Sequence, residues 1–480
     1  MERGLLEKHR EEEGHVCLGI RWVVFVQEVK QVGYIAGPMV AVNLSQYFLQ
    51  IISMMMVGHL GKLALSSTAI AISLCAVSGF SVLFGMSCGL ETLCGQYYGA
   101  QQYKKFGTQI YTAIVSLSLA CLPLSLMWIY MGKLLAFLGQ DPQISHEAGK
   151  FAVSLIPALF AYANLQALVR YFLMQSLIFP LLMSSTVTLF FHIAFCWTLV
   201  FKSGIGNLGA AYAIGTSYWL NVILLGLYMK YSSSCAKTRA PLSFELFHGV
   251  GEFFRFSIPS AGMICLEWWS FELLTLLSGL LPNPELETSV LSICLSTIST
   301  IYAIPEAIGA ASSTRVANEL GAGNPQAARV SVYAVMTLTI LEAIMISSTL
   351  FACRHVFGYI FSNEKDVVDY VTNMAPLLCL SVILDSLHGV LSGIVRGCGW
   401  QKGGAYVNLV AFYLCGIPIA AALGFWVQLR GKGLWIGIQI GAFCQTILLT
   451  LIISCTNWEK RASEARQRIF GEDFDWKWVN

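Results

Sequence analysis

Two acidic side chains lie inside long apolar runs of the sequence, where a charge is unfavourable. Glu267 lies near the middle of Ser257–Leu281, with Glu272 five residues later, and Asp385 lies in the run LLCLSVILDSLHGV. A helix of about 20 apolar residues crosses a bilayer core, and a carboxylate at its centre costs at least about 2.5–3.5 kcal/mol. We therefore expect these carboxylates to face a polar interior and to exchange protons or bind another cation.

The neighbours of these acids suggest how each could act. His388 follows Asp385 by three residues, so the two side chains share a helix face and can hydrogen-bond, and imidazole titrates near neutral pH. Glu272 points about 140° away from Glu267 around a helix, toward another face. We predict that Glu267 and Asp385 carry the proton chemistry. The alternatives are structural: the two Glu side chains could tie helices together, and His388 could be a packing residue.

Further polar, aromatic and proline residues in the apolar runs are candidates for a cavity. Asn408 is the strongest candidate to hydrogen-bond an acid, and Glu91 is expected to face water at the end of its run. Of Trp268 and Trp269, at most one can face a cavity, because successive helix residues point about 100° apart. Each proline removes a backbone donor, which can interrupt a helix or only fix a kink. The cavity and substrate candidates are Asn43, Gln46, Trp269, Tyr302, Glu306, His388, Tyr406 and Asn408, and the prolines predicted to interrupt helices near them are Pro38, Pro259 and Pro305.

The composition is that of a protein with many membrane spans. Over 480 residues it is 56% hydrophobic and 12% charged, against about 25% charged in soluble domains. Fifteen cysteines without a CxxC pair indicate neither a disulfide framework nor a zinc site. No GxxxxGK[ST] phosphate loop is present, which argues against an ATP-driven pump. We expect no metal, no cofactor and no nucleic-acid partner.

Two other classes of membrane protein fit the sequence less well. A membrane acyltransferase or glycosyltransferase would need nucleophile, base or metal residues clustered at one face, whereas the eight histidines and the acids are dispersed along this chain. A lipid flippase would need a lateral groove lined by cationic side chains, whereas the predicted cavity carries acidic ones. Both alternatives stay open from the residues alone.

Apolar runs separated by polar or Gly/Pro breaks predict an all-α protein with twelve membrane-spanning helices. Lys and Arg are concentrated in both tails and after the even-numbered spans, which by the positive-inside rule places both termini in the cytosol. The predicted spans are residues 33–57, 66–96, 108–132, 148–174, 178–201, 206–229, 250–281, 288–317, 328–352, 367–395, 404–427 and 433–456. The predicted units are a cytosolic N-terminal tail (1–32), a first six-helix lobe (33–229), a cytosolic linker (230–248), a second six-helix lobe (249–456) and a cytosolic C-terminal tail (457–480).

The chain also contains a weak internal repeat. At an offset of about 221 residues, Pro38 aligns with Pro259 and Gly99 falls near Gly321. An even number of spans in each half makes the halves parallel, related by a pseudo-twofold axis along the membrane normal. Transporters with this arrangement rock two lobes around a site near the membrane midplane.

The repeat separates acids from amides. At the same offset Glu267 falls on Gln46, and Asp385 falls in the stretch from Asn164 to Gln166. Amides can hydrogen-bond a substrate but cannot change charge near neutral pH, whereas a buried carboxylate can titrate there. We therefore predict that the proton or cation chemistry is in the second lobe.

Three stretches of the sequence resemble one family of transporters. They are PEAIGAASSTRVANELGAGNP (Pro305–Pro325), GCGWQ (Gly397–Gln401) and CLEWWSF (Cys265–Phe271). They are similar to the multidrug and toxic compound extrusion (MATE) transporters, specifically the plant detoxification branch, and the resemblance extends from about residue 30 to residue 456. It implies twelve helices in two six-helix lobes, a V-shaped cavity, and antiport of organic compounds against protons or sodium.

The resemblance also bears on the site residues. In the plant branch, acids at the positions of Glu267 and Asp385 are associated with proton-coupled transport. Prokaryotic relatives often have an Asp in the first helix, and this chain has none there. We therefore predict a monomeric antiporter that exchanges protons, rather than sodium, for cytosolic organic compounds such as secondary metabolites or xenobiotics. It would work in the plasma membrane or in a vacuolar or vesicular membrane.

Overall fold

The computed structural model describes residues 2–361 and 364–471, and the side chains from residue 22 onward except residue 284. These residues form helices and short connections, with no β-strand among them. Residues 472–480, the end of the predicted C-terminal tail, lie outside the described residues. The long helices are α1 (Glu2–Gly58), α2 (Lys62–Gly99), α3 (Tyr103–Ile129), α4 (Pro142–Ser154 and Ile156–Met174), α5 (Ile178–Lys202), α6 (Asn207–Tyr231), α7 (Val250–Ser278), α8 (Pro284–Ala322), α9 (Pro325–Ala352), α10 (Lys365–Cys398), α11 (Gln401–Trp426) and α12 (Arg430–Ser454), and a shorter helix, α13 (Trp458–Phe470), follows.

Most of these helices can cross a membrane. Ten described helices are long and apolar enough, and α4 is an eleventh if its two parts, which meet at an angle of 44°, form one span. The 29 residues of α7 also exceed the length of a span, but this helix is less apolar because it carries Glu267, Glu272 and two tryptophans. Each of the twelve predicted spans corresponds to one of the helices α1 to α12, which confirms the predicted all-α membrane fold.

The prolines that were predicted to interrupt helices lie inside continuous ones. Pro38 is within α1, Pro259 within α7 and Pro305 within α8. Each proline removes one backbone hydrogen bond, but the bonds of the neighbouring turns keep the helix together. The prediction of a helix break is therefore corrected to a locally weakened turn.

Helices α1 to α6 and α7 to α12 form two bundles that meet first along α2 and α7. These two helices run antiparallel, and hydrogen bonds mark both ends of their contact. Ser73 Oγ donates to Glu272 Oε2 over 3.3 Å, and Tyr97 OH donates to Glu252 Oε2 over 3.2 Å. The two bundles are therefore in contact along most of the length of α2.

The second contact, between α1 and α8, is shorter. At one end the Arg315 guanidinium donates to both carboxylate oxygens of Glu28, over 2.7 and 2.9 Å. Further along, Asn43 Nδ2 donates to the Ala303 carbonyl over 3.4 Å. Toward its end α1 packs instead on α5 of its own bundle, where Ser53 Oγ lies within hydrogen-bonding distance of a histidine. The α1–α8 contact is therefore concentrated toward the end of the molecule that carries α13, which we call the tail end.

Two glycines mark a very close approach of the bundles at the tail end. A Cβ at Gly99 would overlap the Asn318 carbonyl oxygen, and a Cβ at Gly321 would overlap the Gln96 carbonyl oxygen. Gly99 and Gly321 are 222 residues apart, and so are Gln96 and Asn318. The two contacts are therefore mates under the pseudo-twofold symmetry, in agreement with the repeat read from the sequence.

These contacts make Gly99 a testable position. We expect Gly99→Ala to lower the stability of the folded protein by about 1–3 kcal/mol, because the added methyl group must push against the backbone of α8. The measurement is the thermal unfolding temperature of the purified protein in detergent. Gly226→Ala in α6, where nothing lies within 4 Å of the added Cβ, is the matched control and should be neutral or slightly stabilising. Equal unfolding temperatures for Gly99→Ala and the unsubstituted protein would contradict this account.

Candidate functional site

The Glu267 carboxylate is buried in the second bundle and receives three hydrogen bonds. Gln445 Nε2 and Asn408 Nδ2 donate to its Oε2 over 2.9 and 3.3 Å, and Tyr302 OH donates to its Oε1 over 3.4 Å. These donors come from α12, α11 and α8, so four helices converge on one acid. The three donors are neutral, and they stabilise the carboxylate without cancelling its charge.

His388 lies between Glu267 and the second acid, Asp385. Its Nε2 is 3.1 Å from Asp385 Oδ1, and its Nδ1 is 3.7 Å from Glu267 Oε1. All three side chains are buried, and Asp385 and His388 face each other across one turn of α10, which agrees with their predicted spacing. An imidazole between two carboxylates can accept a proton at one nitrogen and release one from the other. The imidazole is hydrogen-bonded to Asp385, whereas Glu267 at 3.7 Å lies just beyond hydrogen-bonding distance, so a small movement of His388 or Glu267 would connect the two acids for proton transfer.

The other oxygen of Asp385 has no hydrogen-bond partner among the described residues. Asp385 borders a narrow void that is too small for a water molecule and is lined also by Ile301, Tyr302 and Pro305. Pro305 cannot donate a hydrogen bond to the carbonyl of Ile301, so the weakened turn of α8 lies next to Asp385. A movement of α8 at this turn would change the surroundings of the acid directly.

The predicted amides of the first bundle lie on α1, outside this cluster. Asn43 and Gln46 are both half-buried. Asn43 donates to the carbonyl of Ala303, the residue that follows Tyr302 in α8. The structure therefore brings one first-bundle amide beside the helix that carries a Glu267 donor, and it leaves Gln46 one turn further along α1.

Two aromatic candidates lie outside the cluster: Trp269 is on α7, the helix that carries Glu267, and Tyr406 is on α11. Trp269 follows Glu267 by two residues, is 36% exposed, and donates from Nε1 to the Val77 carbonyl over 3.0 Å. Its neighbour Trp268 stacks on a phenylalanine of α2. Tyr406 does not join the cluster, because it is 70% exposed and lies about 200° around α11 from Asn408.

Glu306 is half-buried on α8 and makes no hydrogen bond with the Glu267 cluster. It lies within electrostatic range of Arg170, Arg396 and Glu91 as well as Glu267. Glu91, which was expected to face water, is fully buried. That expectation is wrong because two arginines, Arg396 at 2.8 Å and Arg170 at 3.3 Å, compensate for the burial of the carboxylate.

Gln445 is the cluster residue that the sequence analysis missed. It is fully buried on α12, and it donates both to Glu267 Oε2 and, over 2.8 Å, to Asn408 Oδ1. Its signal in the sequence was that it is one of two amides, with Gln439, inside the apolar span 433–456. Among the described residues no group of three or more His, Cys, Asp or Glu is arranged to hold a metal ion.

Comparisons with known proteins point to one family. The MatE family model matches residues 38–198 and 259–422, and its two segments begin at Pro38 and Pro259, the positions that the internal repeat aligned. Protein DETOXIFICATION 14 of Arabidopsis thaliana is 61% identical over 476 residues, which cover 99% of this chain and 97% of that protein. Protein DETOXIFICATION 12 of the same plant is 61% identical over 445 residues, which cover 93% of this chain and 92% of that protein.

Solved structures agree with these sequence comparisons. The crystal structure of the eukaryotic MATE transporter AtDTX14 is similar with a TM-score of 0.90 and 63% identity, covering 93% of this chain and 100% of that one. An outward-facing multidrug resistance MATE transporter of the MOP superfamily is similar with a TM-score of 0.80 at 15% identity, covering 92% of this chain and 97% of that one. The second likeness shows a shared fold.

Proposed function

This chain belongs to the MatE family of membrane transporters, and from that premise we propose that it exports cytosolic organic compounds in exchange for protons. Like its relatives, it is an integral, multi-pass efflux transporter and not an enzyme. The observation that carries the proton part of the proposal is the buried series Glu267, His388 and Asp385. Its members carry side chains that can bind protons, and they lie close together in the second bundle, which has acids where the first has amides.

The orientation of two amides favours a proton over sodium as the coupling ion. The Met263 carbonyl can only accept, so the NH₂ group of Asn408, 2.7 Å away, faces it. Asn408 Oδ1 then accepts from the NH₂ group of Gln445, and both NH₂ groups point at Glu267 Oε2. A metal cation at this oxygen would meet the positive ends of two N–H dipoles. A proton on the oxygen requires only that the hydrogen bonds to it rearrange locally.

Export by alternating access follows from these elements in outline. A proton from the side with the higher proton concentration binds the acid pair and lowers its negative charge by one, and this change of charge alters which arrangement of α7, α8 and α10 is favoured. Substrate and proton must then prefer different states of the transporter, because a ligand shifts an equilibrium only by its differential affinity. The substrate class proposed is small organic molecules, including secondary metabolites and xenobiotics, held between the bundles where Asn43, Gln46 and the exposed face of Trp269 lie.

The remaining parts of the proposal concern orientation and setting. The excess of Lys and Arg at the tail end supports a cytosolic position for both termini, and α13 alone contributes Lys460, Arg461, Arg466 and Arg468. The membrane is the plasma membrane or a vacuolar or vesicular membrane. One chain contains both bundles and the acid pair, which supports function as a monomer.

The proposal is tested by transport in proteoliposomes that contain the purified protein. A fluorescent aromatic organic cation serves as the probe, and its movement is followed with an imposed pH gradient, with an imposed sodium gradient, and with neither. We expect the pH gradient alone to drive transport, with a gain of about 1.36 kcal/mol per pH unit for each proton. Transport driven by the sodium gradient and unaffected by the pH gradient would overturn the choice of ion.

The amides of α1 are expected to act on substrate and not on ion coupling. We predict that Asn43→Ala and Gln46→Ala change the apparent affinity for the probe and leave the proton-to-substrate ratio unchanged, because neither amide titrates near neutral pH. The ratio is measured from the gradient that just balances substrate flux. Tyr406→Ala, at an exposed position away from the cluster, is the control and should change neither quantity. A changed ratio with unchanged affinity would contradict the assignment.

A further inference from the structure

The tail end holds a group of buried charges that the proposed proton exchange does not use. Glu91 on α2 is 0% exposed, and its Oε2 lies 2.8 Å from Nε of Arg396, on α10 of the other bundle. Its Oε1 lies 3.3 Å from Nη1 of Arg170, on α4 of its own bundle. One carboxylate therefore holds one arginine across the bundle interface and a second arginine within its bundle.

A second ion pair crosses the same interface and has the same design. Arg315 on α8 binds both oxygens of Glu28 on α1, and its Nη2 also lies 2.8 Å from Glu319 of its own helix. In both cases one member of the pair that joins the bundles also has an opposite charge within its own bundle. These partners, Arg170 for Glu91 and Glu319 for Arg315, would remain if the bundles separated.

The surroundings of the first pair are suited to separation. The backbone carbonyl of Arg396 accepts a hydrogen bond from Thr92, and the Gly397 carbonyl accepts one from Gln96. Polar contacts of this kind can be replaced by water when an interface opens, whereas leaving a buried charge without a partner is strongly unfavourable. After separation Glu91 would keep Arg170, and Arg396 would have Glu306 of its own bundle within electrostatic range.

From this arrangement we propose that Glu91 and Arg396 form a releasable latch that closes the tail end, with Arg170 as the positioning residue that holds Glu91 when the latch opens. The Glu28–Arg315 pair is a second latch of the same kind, held by Glu319. The inference rests on the proposed alternating access and is independent of which ion drives it. Transport requires the latch to open once in each cycle, so both its strength and the presence of the retained partner set the rate.

Native cysteines provide reporters for the latch. Cys94 on α2 and Cys398 at the end of α10 are buried at the tail end, Cys121 is buried inside the first bundle, and Cys455 is exposed. Cys88 is not used, because its thiol accepts a hydrogen bond from Arg170. The experiment labels the full chain in detergent with a hydrophilic maleimide and reads the rate at each cysteine by peptide mass spectrometry. The labelling rate of exposed Cys455 corrects for differences in reagent activity, and the labelling of Cys121 reports global unfolding.

The two arginines are expected to respond differently. Arg396→Gln removes the Glu91–Arg396 link between the bundles and should raise labelling of Cys94 and Cys398 by about tenfold or more at unchanged labelling of Cys121, as for a local opening. Arg170→Gln leaves the Glu91–Arg396 pair in place, so labelling should stay low. The transport rate should fall, because opening now leaves the Glu91 carboxylate without a cationic partner. Lys104→Gln, which removes an exposed pair with Glu245 at the same end, is the matched control and should change neither readout.

Arg396→Lys provides a second variant that keeps the charge, and it should give intermediate labelling. Equal labelling of Cys94 and Cys398 in Arg396→Gln and the unsubstituted protein would overturn the latch. Equal increases in Arg170→Gln and Arg396→Gln, accompanied by Cys121, would show a structural role for both arginines and would also overturn it. Labelling does not depend on a pH gradient, so a failure of proton coupling in the transport assay would leave this result unchanged.

Discussion

Glu267→Gln is expected to abolish pH-driven export while the protein stays folded. Glutamine keeps the shape of the side chain, and its carbonyl oxygen can still accept from Gln445 and Asn408, so the convergence of four helices on this position is preserved. It cannot take up or release a proton near neutral pH. We expect transport driven by a pH gradient to fall by about 100-fold or more, the scale associated with loss of a positioned proton-transfer group.

The measurement is initial-rate export of the fluorescent probe in proteoliposomes with and without a pH gradient. Glu272→Gln is the matched control, because Glu272 lies on the same helix but hydrogen-bonds Ser73 of α2 and not the Glu267 cluster. The control should retain pH-driven transport. Full pH dependence in Glu267→Gln would remove Glu267 from the coupling site, and an unfolded protein would be recognised by its loss of a cooperative thermal transition.

Much of this fold can be predicted from the sequence, because few backbone structures can span a membrane. Spans must be helical and about 20 residues long, so twelve apolar runs translate directly into twelve helices. Charge placement is equally informative, since Glu267 and Asp385 are unfavourable in lipid and must be sheltered by polar neighbours. The structure brings together Glu267, Asp385, His388, Tyr302 and Asn408, all of which the sequence had singled out.

The sequence was less informative where a partner comes from a distant helix. Glu91 near the end of an apolar run was expected to face water, and only the packing of α2 against α10 reveals Arg396, 305 residues away, as its partner. Gln445 carried a similar ambiguity, because its span also contains Gln439, and an amide in a span can bond its own helix, a neighbouring helix or a substrate. Helix ends also depended on tertiary structure: α1 begins at Glu2, well before the predicted span. The local sequence pattern predicts the helices, and the packing between helices determines which polar side chains become hydrogen-bond or ion-pair partners.

Asp385→Asn is expected to impair proton coupling about as severely as Glu267→Gln. The reason is the single imidazole between the two acids, 3.1 Å from Asp385 and 3.7 Å from Glu267. Carboxylates linked in this way titrate as a unit, because the charge on one changes the proton affinity of the other. Removing either acid leaves His388 with one carboxylate, so the series can no longer take up a proton at one end and release it at the other.

The double variant Glu267→Gln with Asp385→Asn tests whether the acids act as a unit. If they do, the second substitution removes a group that has already lost its function, and pH-driven transport should lie within about twofold of the more impaired single variant. The comparison is made as a double-mutant cycle on initial rates, with Glu267→Gln combined with Glu272→Gln as the reference pair, whose effects should be additive because Glu272 bonds Ser73 and lies outside the series. If the free-energy losses for Glu267 and Asp385 simply add, the two acids bind protons independently, and a proton passed between them through His388 is not part of the transport cycle.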